Sequence, residues 1–175
     1  MSHEIIIDSS LRGNKTEQYK SLLPQIRELV KDETDLTFNL SQSCAAFEHT
    51  MDRFVCVVFF LRQWSDLVLG PFQGPVACSR IKIPEGVCGA AASRKETIIV
   101  EDVNKFPGHI ACSTLSKSEI VVPIFYESAR LPELQRKQVI AVLDIDSESY
   151  SNFDNVDKAY LEELCSLVSG LMGKF

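Results

Sequence analysis

Between residues 15 and 31 the apolar positions Leu22, Leu23, Ile26, Leu29 and Val30 recur three to four apart, which predicts an amphipathic helix carried through Pro24. A second helix is expected over 34–50. It leads into RFVCVVFFLRQW (53–64), a nearly unbroken apolar run rich in β-branched and aromatic residues, the pattern of a central strand. Further strands are expected in DLVLGPF (66–72), VACSRIKI (76–83), ETIIVEDV (96–103), SEIVVPIFY (118–126) and KQVIAVLDIDS (137–147), about six in all. Between the third and fourth, GVCGAAASRK is Ala-rich and opens after Gly86, so it predicts a short helix whose first turn holds Cys88. The last helix is expected over 154–174, with Val156, Leu161, Leu164, Leu167, Val168 and Leu171 on one stripe and Asp154 as N-cap. Helices at both ends of a mostly antiparallel sheet make an α+β sandwich.

Composition narrows this to one globular domain over 1–175: 45% of the residues are hydrophobic, with seven prolines and eight glycines. The net charge of −6 and the lack of any long Lys/Arg run argue against nucleic acid as a partner. No stretch approaches the roughly 20 apolar residues of a membrane span, and the first residues lack a basic-then-apolar leader. A soluble, cytoplasmic protein is expected. In that reducing setting the six cysteines should be mostly free thiols, so pairing among them points to catalysis or regulation.

Two stretches do not fit a core-or-turn explanation. GPVACSRIKIPEGVCGAAA (74–92) places Cys78 and Cys88 ten residues apart, the wrong spacing for a zinc knuckle. DVNKFPGHIACSTLSKSE (102–119) is a long polar connection between strands, with His109 and Cys112 near its middle and Glu119 where the next strand begins. Such loops are usually functional or disordered. FYESARLPELQRKQ (125–138), by contrast, is charged and carries no reactive constellation; a solvated hairpin insertion is expected there.

LVLGPFQGPVAC, GVCGAAA, VEDVNKFPGHIAC, SEIVVPI and AVLDIDS together resemble the free methionine-(R)-sulfoxide reductases, which are single GAF domains. The resemblance runs from about Asp66 to the last helix, roughly two thirds of the chain. It implies a GAF-like fold, with terminal helices on one face of the sheet and a ligand pocket on the other. It further implies reduction of free L-methionine (R)-S-oxide, no metal or organic cofactor, and thioredoxin as electron source. By resemblance to the bacterial members, Cys112 is the nucleophile, Cys78 the resolving thiol and Cys88 an auxiliary or alternative nucleophile. Helix placement alone favours Cys88, whose thiolate the N-terminal dipole would assist.

Free methionine sulfoxide is a zwitterion, so its pocket must satisfy both an ammonium group and a carboxylate. Glu119, Asp144 and Asp146 match acidic positions of the family, where carboxylates receive the ammonium group and one helps protonate the sulfoxide oxygen. Asp144 and Asp146 flank Ile145 on one strand and therefore share a face. Backbone N–H groups of the 112–118 loop, with Ser116 and Ser118, are the expected holders of the substrate carboxylate.

The chain also departs from the family. Relatives carry Asn-Trp-x-Gly-Phe-Tyr on the first central strand, whose tryptophan walls the pocket; here the stretch reads VCVVFF, leaving Phe54, Phe60 or Trp64 as substitutes. Ser113 stands where an aspartate commonly follows the third cysteine, and the insertion around 127–138 is longer than usual. Cys44, Cys56 and Cys165 are expected as small hydrophobes in the core. His3 is expected to be disordered, and His49 to lie near a helix end. A metal held by Cys78, Cys88, Cys112 and His109 is not expected. A homodimer is, through the apolar stripes of the first and last helices. Two other functions fit the same residues: a GAF module that binds a small molecule without turning it over, and a redox sensor built on a Cys78–Cys112 disulfide.

Overall fold

The computed structural model describes residues 5–6, 8–127 and 137–172; His3, most of the 127–138 insertion and the last expected helical residues lie outside the described residues. Helices α1 (Lys15–Val30) and α2 (Leu36–Thr50) precede strands β1 (Phe54–Gln63), β2 (Asp66–Gln73) and β3 (Arg80–Lys82). Helix α3 (Gly86–Arg94), strands β4 (Ile98–Val100), β5 (Ser118–Glu127) and β6 (Lys137–Ser147), and helix α4 (Asn155–Met172) follow. The strands form one antiparallel sheet in the order β3-β2-β1-β6-β5-β4. No described helix is long and apolar enough to cross a membrane.

Strand alternation sorts the side chains into two layers. Val57 and Phe59 of β1, Ile120, Val122 and Ile124 of β5, and Ala141, Leu143 and Ile145 of β6 face α1, α2 and α4 in one core. Cys56, Val58 and Phe60, with Val121 and Val142, face the other way against α3. β1 reads as continuously apolar because both of its faces are covered.

Helices α1 and α4 are locked together at Asp157, which is buried. Its carboxylate accepts from the Tyr19 hydroxyl at 2.9 Å, the Lys15 ammonium at 2.6 Å and the Asp154 N–H at 2.8 Å. Asp154 in turn accepts from the Val156 N–H at 2.7 Å, the capping role expected of it. Of the stripes expected to meet a second copy, Leu22, Ile26, Val30, Leu161, Leu164 and Val168 are buried within the protomer, while Leu29, Val156 and Leu167 are half-buried.

Two expected strands are much shorter than their apolar runs. Of 76–83 only Arg80–Lys82 pairs with β2, and of 96–103 only Ile98–Val100 pairs with β5. Both are edge strands, where hydrogen bonding on one side alone lets the chain leave the ladder early. What they leave unpaired builds the site.

Candidate active site

Gly74 turns the chain out of β2 at φ +124°, and a Cβ there would lie 2.5 Å from the Val55 carbonyl oxygen. Only glycine lets this turn pass so close to β1. The 74–79 loop then carries Cys78 over the second face of the sheet. Gly86 opens α3 at φ +62°, and a Cβ on it would meet Ile110 at 3.2 Å, so the 101–117 connection packs directly on the start of that helix. Cys78 and Cys112, half-buried and 5.2 Å apart at Cα, are joined by a disulfide between these two loops.

Beneath the disulfide lie three carboxylates from two strands. Glu119 of β5 stands directly opposite Asp146 of β6. Asp144 lies two residues along β6, on the same face. The Cys88 thiol, one Glu119 oxygen and one Asp144 oxygen come within 4.8 Å of one another. His109 Nε2 approaches Glu119 Oε2 to 3.6 Å, ion-pair range but beyond a hydrogen bond. These groups, with Ser116, Ile110 and Cys112, line a cavity with only about 20 Å³ free. A smaller cavity alongside, of about 10 Å³, is lined by Cys56, Val58, Phe60, Cys112, Asp144 and Asp146 among others.

Every carboxylate in the cluster is pushed toward its neutral form. Burial raises Glu119 well above its ordinary range, and the neighbouring Asp146 charge adds to this. Asp144 is raised well above its range by burial, then by Glu119 and Asp146. Burial pushes Asp146 up to about 6, against the opposing pull of the Ser116 hydroxyl and His109. One carboxylate oxygen here, Asp144 Oδ1, is buried without a hydrogen-bond partner. A native fold rarely leaves such atoms bare unless something else is to bind them.

Cys88 differs from the expectation built on its helix position. It does sit in the first turn of α3, but burial pushes its thiol well up, and Asp144 and Glu119 push it further. Desolvation and two nearby acids outweigh a helix dipole worth about 1 kcal/mol or less at a surface site. Ser118 differs as well. Its hydroxyl donates to the Ser149 carbonyl at 2.6 Å and accepts from the Asn152 N–H at 3.3 Å, away from the cavity lining. Adjacent residues on a strand point to opposite faces, so Glu119 in the site turns Ser118 out of it.

Of the three aromatic residues that could wall the pocket, Phe60 lines the smaller cavity. Phe54 packs on Phe153 in the helical layer, with ring centroids 5.5 Å apart, and Trp64 is 94% exposed at the β1–β2 turn. Cys44 and Cys165 are buried in the helical layer as expected. Cys56 is not merely core. It pairs in register with Asp146 and faces the same cavity, a placement that period-two alternation along β1 from Phe60 would have revealed. His109, noted in sequence only as a neighbour of Cys112, belongs to the lining as well.

Among the described residues, Cys88, Glu119 and Asp144 are also the group that could hold a metal ion, one soft and two hard donors. Cys78 and Cys112, tied to each other, are not available as thiolate ligands in this state.

Residues 35–171 match the GAF domain family. GAF domain-containing protein A of Dictyostelium discoideum is 43% identical over 157 residues, spanning 90% of this chain and 94% of that protein. Free methionine-R-sulfoxide reductase of Saccharomyces cerevisiae is 40% identical over 174 residues, spanning 95% of this chain and 92% of that protein. The X-ray structure of free methionine-R-sulfoxide reductase from Neisseria meningitidis in complex with its substrate superposes with a TM-score of 0.85 at 40% identity, covering 97% of this chain and 95% of that one.

Proposed function

The chain belongs to the GAF-domain free methionine-R-sulfoxide reductases, and from that premise we propose that it reduces free L-methionine (R)-S-oxide to methionine with Cys112 and Cys78 as its two-electron store. The observation that carries this reading is the Cys78–Cys112 disulfide lying against two buried carboxylates, Glu119 and Asp144, and the half-buried Asp146, with one Asp144 oxygen unpartnered. A thiol pair supplies reducing equivalents. An acid cluster with a bare oxygen suits an ammonium group.

In the reduced protein the Cys112 thiolate attacks the sulfoxide sulfur while a protonated carboxyl gives its proton to the oxygen. Oxygen passes to Cys112 as a sulfenic acid, and methionine departs with its sulfur reduced by two electrons. Cys78 then attacks the Cys112 sulfur, expelling water and forming the disulfide. Thioredoxin, a protein dithiol, returns two electrons and two protons. Two neutral carboxyls and one ionised carboxylate would serve this sequence well, since the ammonium group needs a charge and the oxygen needs a proton. The raised range of all three acids supports such a division.

Burial and acidic neighbours make Cys88 a poor thiolate, which supports Cys112 as the attacking residue. Glu119, Asp144 and Asp146 together receive the ammonium group, one of them giving its proton to the sulfoxide oxygen, and Ser116 with the loop N–H groups holds the substrate carboxylate. A cavity of about 20 Å³ has room for one water, so substrate enters only when the two loops part.

The test is NADPH oxidation coupled through thioredoxin reductase and thioredoxin, with free L-methionine (R)-S-oxide as substrate. Turnover is expected. Peroxide-driven disulfide formation without turnover would support a redox sensor instead, and neither result would leave a binding module.

A further inference from the structure

The segments that carry the disulfide are uncharged up to the exposed Arg80 and Lys117. Residues 74–79 and 111–116, the segments that hold Cys78 and Cys112, contain no charged residue, whereas a chain with 24% charged residues would place about three among twelve. Six of the twelve, Gly74, Val76, Ser79, Ala111, Thr114 and Leu115, are exposed, so burial does not explain the absence of charge. Within the same segments Val76 is 86% and Leu115 is 53% exposed. Chain geometry keeps each within about 11 Å of the nearer disulfide cysteine. Large apolar side chains presented to water within uncharged segments are the composition of an interface core.

We infer that Val76 and Leu115 form the docking surface for a small protein dithiol that reduces the Cys78–Cys112 bond. This rests on the proposed function, which requires the bond to be opened once per turnover. The occupant follows from what lies inside the patch: a half-buried disulfide is opened by a thiolate that reaches its sulfur, and the surface around that thiolate must seat against the residues flanking the bond. The partner's thiolate bonds to one sulfur of the pair and releases the other as a thiolate. Its second thiolate then attacks the mixed disulfide, leaving Cys78 and Cys112 reduced and the partner oxidised to its own disulfide. Contacts confined to two apolar anchors suit a small, transient encounter of under about 1,200 Å².

The experiment follows reduction of the full-length oxidised protein directly, by stopped flow, with reduced thioredoxin and separately with dithiothreitol. It needs no methionine sulfoxide, so its failure is distinguishable from failure of the proposed activity. Val76→Ser with Leu115→Ser should lower the second-order rate constant with thioredoxin at least tenfold and leave that with dithiothreitol within twofold. An unchanged thioredoxin rate, an equal fall with both reductants, or a wild-type protein reduced no faster by thioredoxin than by dithiothreitol would each overturn the docking surface.

Discussion

Glu119 and Asp146 face each other as directly paired residues of neighbouring strands, Glu119 buried and Asp146 half-buried. Like charges so placed repel, and burial removes the water that would screen them. Burial and the neighbouring charges favour the protonated forms of the cluster.

That arrangement sets a pH dependence. Asp146 is raised from 3.8 to about 6, so between those values the folded protein holds a proton that the unfolded chain has released. The stability this brings is fully present below the unfolded value and is lost as pH rises through about 6; at neutral pH the ionised group costs roughly 2–3 kcal/mol. Glu119 and Asp144 shift in the same direction. Thermal unfolding of the ligand-free protein should therefore show Tm falling between about pH 4 and 7, and Asp146→Asn should flatten that fall and raise Tm at neutral pH by about 5 °C. A variant with the wild-type pH slope would contradict the shift.

Selectivity for free over acylated substrate follows from the same carboxylates. An N-acetyl group turns the ammonium into a neutral amide and leaves a buried charge without its partner, a mismatch that costs at least ~100-fold in kcat/KM. Steady-state kinetics with free and N-acetylated methionine (R)-sulfoxide measure it. Comparable values for the two would remove the ammonium-binding role from Glu119 and Asp144.

Stability and activity should separate at Asp157, which is buried on the helical side of the sheet with Lys15 and Tyr19 on its carboxylate. Asp157→Ala leaves those partners without an acceptor and undoes the cap of α4, a loss of about 3 kcal/mol. Urea denaturation should show that loss while kcat/KM stays within twofold of wild type. A loss below about 1 kcal/mol would mean that Lys15 and Tyr19 find water or other acceptors in its place.

Much of this was legible in the sequence because two simple periods were. The three-to-four spacing of Leu22, Leu23, Ile26 and Val30 marked α1, and alternation put Asp144 and Asp146 on one face. The same alternation, applied to β5, would have kept Ser118 out of the site; applied to β1, it would have brought Cys56 in. The surroundings of Cys88 were not legible. The acids that decide its ionisation arrive from β5 and β6, thirty or more residues away, and only sheet register reveals them. Edge position shortened β3 and β4, and local pattern carries no information about which strands are edges.

The most direct test is the methionine released by the fully reduced protein in one turnover, measured by rapid quench with free L-methionine (R)-S-oxide and no added reductant. Wild type should release about one methionine per chain and end with the Cys78–Cys112 disulfide. Cys78→Ser should release the same burst and stall as a sulfenic acid, Cys88→Ser should be only partly impaired, and Cys112→Ser should release none. No burst from the wild type would contradict the thiol reduction itself, and a normal burst from Cys112→Ser would contradict the attack by Cys112.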